Sequence, residues 1–124
     1  MSRISEREKT IRIFRKYARL GLASPRLDIF SAYERIKGAS RNRREAYELL
    51  AVYDTVSFLK LMGREDTLDA LYDIYFYSSS YPFRKSEISL RVLRHAKKAS
   101  CDERTVYRKL AYALKIYKMM LGDR

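Results

Sequence analysis

The sequence predicts an all-α fold of about six helices. Three observations carry that expectation. Apolar residues recur three and four apart along most of the chain, and strand-like alternation is absent. Glycine and proline are scarce, four and two in 124 residues. Leu, Ala, Arg, Lys, Tyr and Glu dominate the remainder. A chain of this length is one domain, or one small domain with a helical extension, and it can bury a core without metal or disulfide staples.

The first helix is expected from about Ile4 to Leu20, with Ile4, Ile11, Phe14 and Ala18 on one side. Gly21 follows where a left-handed residue closes a helix. The second opens at Ser24-Pro25, a good cap followed by a proline whose missing N–H costs nothing there. Its stripe is Leu27, Phe30, Tyr33 or Ala32, and Ile36, and Gly38 closes it. The third and longest helix runs from near Ser40 to about Met62, before Gly63. Leu49, Val52, Tyr53, Val56 and Leu59 make its inner face. Its first turn carries Arg41, Arg43 and Arg44, which oppose the helix dipole. They serve a partner or are ordinary solvated arginines. The fourth covers about Glu65 to Tyr77, capped by Asp66, with Leu68, Leu71, Tyr72 and Tyr75 aligned. Ser78 to Pro82 is the clearest loop. The fifth runs from about Ser86 to Lys98 (Ile88, Val92, Ala96 and Ala99 inward). The sixth runs from about Asp102 to Leu121 (Val106, Leu110, Ala113, Leu114, Tyr117 and Leu121 inward).

Charge is unevenly spread. The net charge of +12 divides into +9 over residues 1–44 (thirteen Lys and Arg against four Asp and Glu), −5 over 45–81 (two against seven) and +8 over 82–124 (twelve against four). Two basic blocks in a small protein favour nucleic acid as the partner over a merely solvated surface. Residues 1–40 are expected to form a basic N-terminal helical arm. Residues 41–124 then form a helical domain whose segment 84–121 pairs the last two helices. The single cysteine, Cys101, excludes an intramolecular disulfide and fits a cytoplasmic setting. The charged N-terminus lacks a secretory signal core, and no apolar run approaches the ~18 residues that span a bilayer. The apolar face of the first helix is too thin for a membrane-surface helix.

The last two helices carry the functional signal. A break of three or four residues forces them to meet at an angle. Ala96 is small where two helices approach, Cys101 is a compact apolar residue in the turn, and Val106 packs back against Ala96 and Ile88. Asp102 can cap Arg104 and Thr105, and Ser100 with Glu103 offers a competing capping box. With Val106 and Leu110 inward, Glu103, Arg104, Tyr107 and Arg108 project outward. A helix-turn-helix reads base edges from such positions. Lys97, Lys98, Thr105 and Lys109 suit phosphate contacts.

The segment His95–Leu114 (HAKKASCDERTVYRKLAYAL) resembles the helix-turn-helix of region 4 of bacterial sigma-70-type factors. Ala96, Ala99, Asp102, Thr105, Val106, Leu110, Ala113 and Leu114 fall where that pattern has Ala, Leu, Ser, Thr, Val, Leu, Ala and Leu. From about Tyr47 onward the layout is similar to phage-type late transcriptional activators of the RinA and ArpU type, with Ala51-Val52-Tyr53 and the aromatic-rich Leu71–Phe76 ahead of the pair. The resemblance covers about twenty residues well and leaves the first forty unexplained. His95 stands for a usual aliphatic. Ser100 stands for a usual Gly, where a left-handed backbone costs a non-glycine residue ~1 kcal/mol. The resemblance implies a sequence-specific transcriptional regulator or sigma-factor-like protein acting on double-stranded DNA. The alternative is a helical adaptor that binds RNA polymerase or another acidic partner. A homodimer is left open.

The remaining candidates read as structural. A lone histidine, His95, has no partner for a metal site or a triad. Cys101 reads as a small apolar turn residue rather than a reactive thiol. Most tyrosines fall at helical spacing and are core rather than base-stacking residues. Tyr107 is the exception. Asp66, Asp69 and Asp73 read as a solvated face rather than a metal site. No glycine-rich phosphate loop occurs. No cofactor and no enzymatic activity are expected.

Overall fold

The computed structural model describes residues 5–24, 26–76 and 85–122. Six helices account for nearly all of them: α1 (Glu6–Arg19), α2 (Ile29–Ala39), α3 (Arg43–Leu61), α4 (Glu65–Ile74), α5 (Lys85–Lys98) and α6 (Glu103–Gly122). No strand occurs among the described residues. The all-α expectation therefore holds, and the expected loop at 78–82 lies outside the described residues.

Local chemistry sets the boundaries. The Ser5 hydroxyl accepts from the Glu8 N–H at 3.1 Å and starts α1. Glu6 and Glu8 in its first turn, with Lys16 and Arg19 in its last, suit the helix dipole. The second helix starts later than Ser24-Pro25. Asp28 caps it, accepting from the Ser31 N–H at 2.8 Å, and Ser24 instead accepts the Leu27 N–H in a preceding turn. Two carboxylate bonds to Ser31 outcompete the hydroxyl cap. Gly38 lies inside α2, and Ser40 ends it with its N–H on the Ile36 carbonyl. Asn42, rather than Ser40, caps α3, accepting from the Glu45 N–H at 2.9 Å. Asp66 is not the cap of α4. Arg64 holds that position without a side-chain cap bond, because a guanidinium carries no acceptor, while its N–H closes the end of α3 on the Leu59 carbonyl.

Three helix ends share one device. After α1, α3 and α5 a residue takes a left-handed backbone, namely Gly21 (φ 75°), Gly63 (φ 69°) and Ser100 (φ 55°). In each, this residue donates to the carbonyl three back, and the next residue donates to the one five back. For Ser100 these bonds are to Lys97 and, from Cys101, to Ala96.

The core is continuous from α1 to α6. Phe14 of α1 is fully buried and stacks on Phe76 with ring centroids 5.7 Å apart. It also meets Tyr75 and Tyr117 edge-on at 5.9 and 5.3 Å. The basic N-terminal helix is thereby tied into the same core as α4 and α6. The most extensive helix packing is made by α6, with α3, α4 and α5 all set along it. The Arg64 guanidinium lies 4.5 Å over the Tyr112 ring and links the start of α4 to α6. Phe30 and Tyr33, expected in the α2 stripe, are exposed, because α2 packs chiefly on α3 through Ala32 and Ile36.

Arg41 of the basic α3 entrance has a local role. Its Nε lies 2.9 Å from Glu45 Oε2, and Lys16 of α1 pairs with the other oxygen. Burial pushes the Glu45 carboxyl up, but the bonds from Lys16 and Arg41 outweigh it and hold it below its ordinary range. Arg43 and Arg44 remain exposed.

Candidate nucleic-acid interface

The pairing of α5 and α6 depends on the turn between them. Asp102 stands just before α6 and accepts the Thr105 N–H at 2.8 Å. Hydrogen bonds from Thr105 and the nearby Arg108 charge hold its carboxyl below the ordinary range. Of the two starts open in the sequence, Asp102 is therefore the cap, and Ser100 lies back in the left-handed turn. Ala96, Val106 and Ile88 are buried together in the core, with Cys101 half-buried against it.

A polar anchor on α4 orients α5. His95 is 3 % exposed, and its Nδ1 donates to Asp73 Oδ2 at 2.7 Å. Lys98 reaches the same oxygen at 3.1 Å. Burial pushes the Asp73 carboxyl up, but these two partners pull it below its ordinary range. Asp73 is thus no solvated-face residue like exposed Asp66 and Asp69. One turn earlier, Arg91 donates to the Ile74 carbonyl at 3.2 Å and pairs with Glu87. The histidine that departs from the sigma-type pattern thus joins α5 to α4 through a charged acceptor.

The eight expected contact residues separate on this frame. Glu103, Arg104 and Arg108 are exposed, as are Lys97 and Lys98. Arg104 and Arg108 lie along the centre of the outward face of α6, four apart. Tyr107 is only 37 % exposed and lines a cleft with Ser5 at the cap of α1, Arg7 and Glu8 of α1, and Ile88 and Ser89 of α5. Thr105 is half-buried with its N–H committed to Asp102, and Lys109 is half-buried on the opposite flank. Lys98 keeps its ammonium on Asp73 while remaining exposed.

The exposed face of α6 continues past its first two turns. Residues 104, 108, 111, 115 and 118 follow the four–three spacing of one helical stripe, and all five are exposed. Four are Arg104, Arg108, Lys115 and Lys118, so a row of cations runs ~21 Å along α6. The spacing was readable in the sequence. That both lysines stay exposed followed only once the neighbouring helices were placed. Among the described residues no group of His, Cys, Asp and Glu could hold a metal ion. No helix among them is long and apolar enough to cross a membrane. No family model, curated protein or solved structure matches the chain.

Proposed function

We propose that the protein is a sequence-specific DNA-binding regulator of transcription that inserts the N-terminal turns of α6 into the major groove. The observation that carries this reading is the exposed Arg104–Arg108 pair, set on a helix that follows a tight, doubly hydrogen-bonded turn. Each guanidinium can bridge the O6 and N7 acceptors of guanine, worth about 1–3 kcal/mol of discrimination per base pair. Glu103 can accept from cytosine at the same depth. Lys97, with Lys98 and Lys109 at the flanks, would hold phosphates and contribute the salt-dependent part of the affinity. Tyr107 contributes at most an edge contact, because α1 occupies its flank.

Selection of bound duplexes from a random library, followed by titration across salt concentrations, tests the reading. A preferred site should emerge. The double substitution Arg104→Ala and Arg108→Ala should erase the preference. For each phosphate the variant no longer neutralises, the slope of log K against log salt should fall by about 0.9. Unchanged affinity and slope in that variant would show that α6 is not the recognition helix.

A further inference from the structure

Beyond the turns assigned to DNA, α6 borders a groove that the DNA reading does not use. It lies between α1 and the middle of α6 and encloses about 800 Å³. Its apolar surface comes from Tyr107, Ala111, Leu114 and Met119. Met119 is 55 % exposed, an unusual position for an unbranched apolar side chain. Among the described residues, the cations on the groove are Arg7, Lys115 and Lys118, and no carboxylate lines it. At one end it shares Arg7 and Tyr107 with a cleft of about 260 Å³ that reaches Ile88 of α5. At the other it shares Thr10 and Lys118 with a cleft of about 560 Å³ that reaches Arg44 of α3. Among the described residues, carboxylates enter only at these ends, Glu8 at the first and Glu6 and Glu48 at the second.

We propose that this groove docks an acidic amphipathic helix of a partner protein. Two helices side by side leave a trough that a third helix fills with one apolar face. From Tyr107 to Met119 the trough follows α6 for ~18 Å, the length of about three helical turns. Leucine-like side chains of the occupant would cover Leu114 and Met119, and carboxylates on its flanks would meet Arg7, Lys115 and Lys118. A mixed apolar and cationic lining fits such a helix better than a nucleic-acid backbone. Phosphates call for hydrogen-bond donors along their whole path, and Ala111, Leu114 and Met119 offer none. The base-reading turns also enter the major groove at their N-terminal end, which carries the later turns of α6 away from the duplex.

The probe is a synthetic amphipathic peptide of about 18 residues with leucines three and four apart and glutamates elsewhere. Its control has lysine in place of every glutamate. Fluorescence anisotropy with the full-length chain should show saturable binding of the acidic peptide alone, tightening as salt falls. Lys118→Glu combined with Met119→Asp, both at exposed positions, should weaken that binding at least about tenfold while circular dichroism shows an unchanged fold. Arg104→Ala with Arg108→Ala should leave peptide binding within about twofold while altering DNA binding, which separates failure of one reading from failure of the other. The proposal is overturned if the acidic peptide does not saturate, if the lysine peptide binds as well, or if the groove substitutions leave binding intact. It is equally overturned if those substitutions weaken duplex DNA as much as peptide, which would assign the groove to the nucleic-acid face.

Discussion

Ser100 and Gly63 form a matched pair for testing the turn. Both sit at the left-handed position of the same hydrogen-bonded helix end, at φ 55° and 69°. Only one of them is glycine. An L-residue in this region carries a steric cost of roughly 1–2 kcal/mol. Replacing it with glycine removes that cost but loosens the unfolded chain, which offsets about 0.4–1 kcal/mol. Ser100→Gly should therefore stabilise the protein by about 0.5–1 kcal/mol, raising Tm by roughly 2–4 °C for a chain of this size. Gly63→Ser is the mirror experiment. A Cβ placed on Gly63 meets nothing within 4 Å, so backbone strain alone decides the outcome. It should lower stability by a similar amount. At Gly21 a Cβ would also lie 2.6 Å from Arg35 Nη1, so Gly21→Ser should cost more than Gly63→Ser unless the guanidinium swings away. Thermal and urea unfolding followed by circular dichroism read all three. A Ser100→Gly protein that melts below wild type, or a Gly63→Ser protein that melts with it, would refute the strain argument.

Other expectations follow from the core and its charges. Phe14→Ala empties the site where α1, α4 and α6 meet, and should cost about 3–5 kcal/mol in urea unfolding. Lys16→Met leaves Glu45 buried with only Arg41 beside it and should cost about 1–3 kcal/mol, a loss that Glu45→Gln in the same protein should partly relieve. The acid limb of stability should reflect Glu45 and Asp73, whose carboxyls lie below their ordinary values of 4.5 and 3.8. The stability they contribute is fully present above those values and is lost as pH falls through the lowered ones. Melting temperature should therefore drop as the pH is taken from neutral to about 3, and Asp73→Asn should flatten part of that drop. His95→Phe keeps the volume but removes the bond to Asp73. It should destabilise the protein at neutral pH, as measured by urea unfolding.

The helices themselves were legible because the 3.6-residue period survives in any environment. Leu49, Val52, Val56 and Leu59 on α3, and Val106, Leu110, Ala113 and Tyr117 on α6, are buried as their spacing requires. Boundaries were less so, because caps compete. At the start of α2, Ser24-Pro25 and Asp28 both offer oxygen acceptors, and the carboxylate prevails through its two bonds to Ser31. Partners across the chain were hidden. Asp73 belongs with His95, twenty-two residues away, and Glu45 with Lys16, twenty-nine away. Nothing in local spacing pairs them. The outward row of arginines on α6 was visible at its start, but its continuation through Lys115 and Lys118 gained meaning only beside Arg7 of α1.

The sequence by itself determined that the chain is helical and where the helices lie to within a few residues. These follow from local sterics and from periodicity, which act over one or two turns. Tertiary structure alone decided that α1 joins the core through Phe14, that Tyr107 lines a cleft with α1, and that a cationic, apolar groove runs along α6. Those facts depend on which helix faces lie against one another. Burial energy scales with the area that two surfaces cover together, and no single segment holds that information.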